Sequence, residues 1–156
     1  MSNQITIQSH KGEYTANFVR GGMDQLNKDP IENANYIVDK NIAKLYSDRL
    51  NNILNSQRVL KIEATEENKS LDCFPAYIEA LVELKVRREQ TLVAIGGGIV
   101  QDITCFLATT LMRGLPWVFY PTTLLAQSDS CIGSKSSINS GDVKNILGTF
   151  TPPNNV

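Results

Sequence analysis

The stretch Thr91-Leu92-Val93-Ala94-Ile95-Gly96-Gly97-Gly98-Ile99-Val100-Gln101-Asp102 decides the fold. Its apolar, strand-favouring start is stopped by three glycines. A helical spacing then takes over at Ile99, Ile103, Phe106, Leu107 and Leu111, apolar on most faces, which predicts a buried helix. A buried strand feeding a buried helix is the unit of a parallel sheet covered on both sides.

The same alternation runs outward in both directions. Upstream, Val59-Leu60-Lys61-Ile62 reads as a strand, followed by a helix carrying Phe74, Ile78, Leu81 and Val82, with Pro75 in its first turn. Before that, Asn35-Tyr36-Ile37-Val38-Asp39 is a short apolar run ending in an acid, and Ile42, Leu45, Tyr46, Leu50 and Ile53 follow at helical spacing. Downstream, Pro116-Trp117-Val118-Phe119-Tyr120 reads as a fourth strand, closed by Pro121. Ile5 and Ile7, then Tyr14, Ala16 and Phe18, alternate on either side of Lys11-Gly12-Glu13, which predicts an antiparallel hairpin. Gly21–Asn35 reads mostly as loop with room for a short helix, and Thr151–Val156 as a linker. The expected fold class is α/β, a Rossmann-like parallel sheet flanked by helices with an amino-terminal β-hairpin.

The chain has 156 residues, enough for one domain with its own core. At 42% hydrophobic and 20% charged it has a globular composition, not a disordered one. Fifteen basic residues against sixteen acidic ones give a net charge of −1, so no nucleic-acid or membrane partner is expected. No apolar stretch has the length of a membrane span, and the polar start does not resemble a signal peptide. Cys73, Cys105 and Cys131 are odd in number and form no CxxC pair, which suits a reducing cytoplasm. Cys105 and Cys131 read as packing residues. The single histidine, His10, reads as a hairpin surface residue, and it rules out a two-histidine metal site built from this sequence alone.

Three stretches carry residues suited to chemistry. Gly96-Gly97-Gly98 allows a ligand close to the backbone, and the N–H groups of the helix start favour an anion such as a pyrophosphate; a tight strand-to-helix turn explains it equally. Asp39 stands where open α/β sheets place their crevice and suits the hydroxyls of a ribose, with Asn41 nearby, or it caps the next helix. Glu66 and Lys69 taken alone read as solvated surface charges. Between Pro121 and Asn145 lie Thr122, Thr123, Asp129, Ser130, Lys135, Lys144 and Asn145. Lysine supplies point charge for a phosphate, and hydroxyl or amide groups orient a polyol, although a solvated loop has a similar composition. Arg113 before Gly114 reads as a cation at a helix end.

Taken in order, Gly96-Gly97-Gly98-Ile99-Val100-Gln101-Asp102, Arg113-Gly114, Pro121-Thr122-Thr123-Leu124-Leu125-Ala126, Asp129-Ser130, Gly133-Ser134-Lys135 and Lys144-Asn145 resemble the 3-dehydroquinate synthases, within the wider sugar-phosphate cyclases. The resemblance keeps its spacings from Gly96 to Phe150 and extends more weakly back to Tyr36. It implies a homodimeric two-domain enzyme using NAD and zinc or cobalt, which cyclises a seven-carbon sugar phosphate, a ketoacid, to 3-dehydroquinate with phosphate elimination. Residues 1–156 would be its NAD-binding amino-terminal domain. The family's metal ligands lie in a second, helical domain beyond the matching motifs, so the 156 residues alone are expected to be inactive.

The resemblance implies cofactor contacts at Asp39, Asn41, Glu66, Lys69, Gly97, Gly98, Asp102, Thr122 and Thr123. It places Asp129, Lys135, Lys144 and Asn145 around the substrate or nicotinamide, and Arg113 on the substrate phosphate of a neighbouring subunit. Four positions depart from it: Gln101, Ser134 and Ser137 replace glycines, and Thr65 replaces the glycine before Glu66. The two serines lie beside the substrate and leave open which sugar phosphate is cyclised. An aminocyclitol or valiolone cyclase, an iron-type or glycerol dehydrogenase domain, and a non-catalytic nucleotide-binding module remain the alternatives.

Overall fold

A computed structural model describes residues 3–156. The antiparallel hairpin β1 (Asn3–Ser9) and β2 (Gly12–Phe18) opens the chain, followed by α1 (Gly22–Lys28). Four parallel strands form the central sheet: β3 (Ala34–Asp39), β4 (Val59–Ile62), β5 (Thr91–Gly96) and β6 (Trp117–Pro121), in the order β4-β3-β5-β6. Helices α2 (Lys40–Leu45) and α3 (Asn51–Leu54) follow β3. Helix α4 (Phe74–Glu83) joins β4 to β5, and α5 (Gly98–Thr110) joins β5 to β6. The short α6 (Leu124–Ser128) leads into an antiparallel pair, β7 (Lys135–Ser140) and β8 (Val143–Phe150).

Side chains alternate along each strand, so the sheet buries two cores. Ile37, Leu92, Ala94, Trp117 and Phe119 pack with Phe74, Leu81, Ile103 and Leu107 on the side of α4 and α5. Tyr36, Val38, Val93 and Ile95 pack with Leu26, Ile42, Leu50 and Ile53 on the side of α1 to α3. Leu92, Val93, Ala94 and Ile95 are fully buried, as an apolar run covered on both faces must be. The expected buried helix is α5, which lies between the sheet and β7.

Three expectations need correcting. The helical spacing from Ile42 to Ile53 is not one helix: α2 stops at Tyr46, a single 3-10 turn covers Asp48–Leu50, and α3 adds four residues. Asn27 on α1 causes part of this, since its Oδ1 accepts the Asn52 N–H at 2.8 Å and its carbonyl accepts from Asn52 Nδ2 at 2.9 Å. The polar run Lys135–Phe150, read for chemistry alone, is a β-hairpin turning at Gly141, whose φ is +55°.

Thr151–Val156 is not a linker. Asn155 pairs in parallel with both Thr15 of β2 and Val118 of β6. The Phe119 N–H donates to Asn155 O at 3.0 Å and the Val156 N–H to Thr15 O at 2.8 Å. The last residues therefore fasten the amino-terminal hairpin to the edge of the central sheet. Two adjacent prolines, which cannot donate to a ladder, concealed the bridge at Asn155 that follows them.

Candidate functional site

The strand order fixes where a crevice opens. From β3 the chain moves to β4 on one side, then crosses back to β5 on the other side of β3. The connections therefore diverge at the carboxyl ends of β3 and β5. Register places Val38 opposite Ile95, and Gly96 opposite Pro121, so Asp39, Gly96 and Pro121 stand level on successive strands.

The capping reading of Asp39 holds, and the cap leaves one carboxylate oxygen free. Its Oδ1 accepts the Asn41 N–H at 2.8 Å, capping α2, while among the described residues its Oδ2 has no hydrogen-bond partner. The Asn41 side chain is exposed beside it.

The three glycines divide between packing and access. A Cβ on Gly96 would sit 2.5 Å from Val100 Cγ2, and one on Gly97 would sit 2.8 Å from Thr123 Cγ2. These two are glycine because the strand-to-helix turn is closed around them. A Cβ on Gly98, the exposed first residue of α5, would meet nothing within 4 Å. The space above the helix's leading N–H groups is open, as the approach of an anion would require.

Thr122 and Thr123 also divide. Thr123 Oγ1 accepts the Ala126 N–H at 3.2 Å and caps α6. The Thr122 N–H donates to Gly96 O at 2.9 Å, but its buried Oγ1 has no partner. Among the described residues it is one of four buried side-chain polar atoms without a partner, a costly state for a hydroxyl.

Next to this edge lies a polar network, and here the reading of Lys69 as a solvated charge fails, while Glu66, with its side chain 37% exposed, stays partly solvated. Lys69 is only 6% exposed. Its Nζ donates to Asn145 Oδ1 at 3.0 Å and to Asp102 Oδ2 at 3.3 Å, and pairs with Glu66 Oε1 at 3.3 Å. The three ammonium protons are thereby matched to three oxygens. Burial makes this necessary: a lysine head taken out of water needs partners on every side. Sequence spacing could not supply that fact, because two of the three acceptors come from α5 and β8.

Asn139, Ser137 and Gln101 hold the network and the turn beside it, a role their sequence did not indicate. Asn139 Nδ2 donates to Glu66 O at 3.1 Å and Oε1 at 3.0 Å, while its Oδ1 accepts the Asn145 N–H at 2.8 Å. Ser137 donates its N–H to Asp102 Oδ1 at 3.2 Å and its hydroxyl to Asn145 Oδ1 at 2.9 Å. Reading Lys135–Ser140 with a period of two would have put Ser137 and Asn139 on one face. Gln101 makes a reciprocal pair with Ser130, Nε2 to Ser130 O and Ser130 Oγ to Oε1, both at 2.7 Å, tying the turn after α6 to α5.

The network holds its carboxyls in opposite states of strain. Burial pushes Asp102 above the ordinary carboxylate range, against the pull of Lys69 and the Ser137 N–H. Glu66 is held below it, first by the Asn139 amide and then by Lys69. Burial likewise raises the Cys105 and Cys131 thiols, as befits packing residues.

Asp129, Lys135 and Lys144 are exposed and stand outside the network, although Lys144 is near enough to lower both Glu66 and Glu67. Arg113 is exposed at the opposite edge of the sheet, since α5 ends where β6 begins. Met112 and Arg113 both take left-handed backbone, with φ of +51° and +70°. No group of three or more His, Cys, Asp or Glu side chains among the described residues could hold a metal. No helix among them is long and apolar enough to cross a membrane.

The fold and this edge define a parallel α/β domain of the Rossmann-like class, with its crevice at the topological switch point. The family model described as 3-dehydroquinate synthase N-terminal matches residues 59–156, and the chain belongs to that family. It is 42% identical over 135 residues to the 3-dehydroquinate synthase of Alkaliphilus oremlandii (strain OhILAs), covering 84% of this chain and 37% of the relative. It is 50% identical over 92 residues to that of Acetivibrio thermocellus, covering 59% and 26%. The chain thus spans about a third of the length of the curated relatives it matches. Among solved structures, 2-epi-5-epi-valiolone synthase from Streptomyces hygroscopicus subsp. jinggangensis 5008, with NAD+ and Zn2+ bound, aligns with a TM-score of 0.70 and 29% identity over 84% of this chain and 39% of that one. A 2-deoxy-scyllo-inosose synthase complexed with carbaglucose-6-phosphate, NAD+ and Co2+ aligns with a TM-score of 0.82 over 100% of this chain and 45% of that one; at 23% identity it supports the fold alone.

Proposed function

We propose that residues 1–156 form the NAD-binding part of a 3-dehydroquinate synthase, which cyclises a seven-carbon ketoacid phosphate with loss of phosphate. The observation that carries this reading is the meeting of Glu66, Lys69, Asp102 and Asn145, from three separate segments, in one network beside the crevice.

The edge fits NAD. Asp39 with Asn41 offers acceptors for a ribose, Gly97 and Gly98 with the start of α5 offer a cradle for a pyrophosphate, and the Thr122 hydroxyl waits for a partner. Thr123 holds the loop, and Glu66, Lys69 and Asp102 brace the far end. NAD bound here would accept a hydride from the carbon that bears a substrate hydroxyl, the hydroxyl proton leaving as the ketone forms, and would later return the hydride to that carbon. Exposed Lys135 and Lys144 supply positive charge for a phosphate, Asp129 accepts from a hydroxyl, and Asn145 orients the substrate. Arg113 lies too far from this crevice to serve it, which supports a role at the second subunit of a homodimer.

Zinc or cobalt is a different case. The described residues offer no donor set for a divalent metal, so no step is assigned to one. We infer accordingly that these 156 residues bind NAD without turning substrate over. The experiment is calorimetry with NAD, paired with phosphate release from the seven-carbon ketoacid phosphate with zinc or cobalt added. Binding without release supports the reading. Absence of NAD binding, or release by the chain alone, overturns it.

A further inference from the structure

Lys69 fixes the sense of the Asn145 amide. An ammonium only donates, so the side-chain atom 3.0 Å from it must be the carbonyl oxygen. That same oxygen also accepts from Ser137 Oγ at 2.9 Å. Two donors on one oxygen fix the plane of the amide, and its Nδ2 is turned away from both. Among the described residues Nδ2 donates to nothing, and Asn145 is exposed. Its backbone is held as firmly, in left-handed conformation at φ +55°, by the N–H donated to Asn139.

We propose that Ser137 is a positioning residue, whose hydroxyl turns the Asn145 amide so that both Nδ2 protons face an acceptor oxygen of the bound sugar phosphate. The ligand class rests on the function proposed above; the orienting contact does not. Serine adds one thing at this position. A glycine would keep the N–H to Asp102 at 3.2 Å but leave Asn145 Oδ1 with a single donor, about which the amide can swing. Asn145 thereby becomes a donor-only reader of oxygen, and its aim depends on the Ser137 hydroxyl behind it.

The test follows the side-chain NH2 pair of Asn145 by nitrogen-proton correlation NMR of the 156-residue chain, assigned with Asn145→Asp. Ser137→Gly keeps the Asp102 contact, and Ser137→Thr keeps both; backbone signals confirm that each variant is folded. In the parent and in Ser137→Thr the two proton shifts should stand away from free-amide positions, because two donors on Oδ1 hold the amide in one plane. In Ser137→Gly they should move toward free-amide positions, and the order parameter of the side-chain N–H pair should fall. Inorganic phosphate serves as the acceptor probe. It should move the parent pair, and move the Ser137→Gly pair only at roughly 2- to 10-fold higher concentration. Unchanged Asn145 signals in Ser137→Gly, or a parent pair indifferent to phosphate, would overturn the proposal. Adding NAD to the same samples separates the two readings: failure to bind NAD removes the proposed function, while the Asn145 signals, which need no cofactor, still decide the role of Ser137.

Discussion

Lys69 and Asp102, 33 residues apart, meet at 3.3 Å with side chains only 8% and 19% exposed. The contact joins the turn after β4 to the second turn of α5, and through Asn145 it extends to β8. A lysine so placed is bound to its partners by its own desolvation. Lys69→Met should therefore lower stability by about 2–4 kcal/mol, because Asp102 and Glu66 lose the charge that balances them. Urea unfolding measures this. Adding Asp102→Asn to Lys69→Met should recover part of the loss, since the two sites are coupled. Independent, additive losses would mean that the pair contributes nothing jointly.

The two carboxyls of the network predict opposite responses to pH. Asp102 has a raised folded value, so the folded chain binds a proton there more tightly than the unfolded chain does. Its contribution falls as pH rises from the ordinary value of 3.8 through the folded one. Glu66 has a lowered folded value; its contribution is present above 4.5 and is lost as pH falls through the folded value. Asp102→Asn should make stability rise more steeply from pH 4 to 7 than in the parent, and Glu66→Gln should flatten the loss below pH 4.5. Urea midpoints measured across that range test both signs.

Much of the fold was legible because it depends on periodicity. The run Leu92–Ile95 with its glycine stop could only be a buried strand entering a buried helix, and the level of Asp39 with Gly96 follows once the sheet is parallel. The hairpin β7–β8 was not legible, because Lys135–Ser140 carries almost no apolar residue and its ladder is held by contacts to α5 and to the turn after β4. At the site, the residues named from the family resemblance were easier to see than those that hold them. Asn139 gave no chemical signal, being an ordinary amide whose importance lies in reaching Glu66 and Asn145 at once. The solvated-charge reading of Lys69 failed for the same reason: burial is a property of the surrounding segments.

Asp39 has two duties that one pair of variants can separate. Asp39→Ser keeps an oxygen to cap α2 and removes the charge, whereas Asp39→Ala removes both. The alanine variant should lose about 1 kcal/mol of stability and the serine variant only a few tenths of that, as caps generally do. Both should weaken NAD by about 1–3 kcal/mol, the cost of leaving ribose hydroxyls without a charged acceptor. Thermal unfolding reads the first effect and calorimetry the second. Equal NAD affinity in the serine variant and the parent would confine Asp39 to capping.

Gly97 and Gly98 should separate in the same manner, with the signs reversed. At Gly97 a methyl would meet Thr123 Cγ2 at 2.8 Å, and Thr123 cannot withdraw without releasing its cap on α6. Gly97→Ala should thus cost about 1–3 kcal/mol, the usual penalty for overpacking. At Gly98 a methyl meets nothing, the residue is helical, and alanine is the better helix former by up to about 1 kcal/mol. Gly98→Ala should therefore leave stability unchanged or slightly raised. If the open space above Gly98 is where a pyrophosphate approaches the start of α5, that methyl should stand in its way, and NAD affinity should fall although the fold is no weaker. A loss of binding that accompanies a gain of stability cannot arise from damage to the domain. A Gly98→Ala chain that is as stable as the parent and binds NAD equally well would place the cofactor elsewhere.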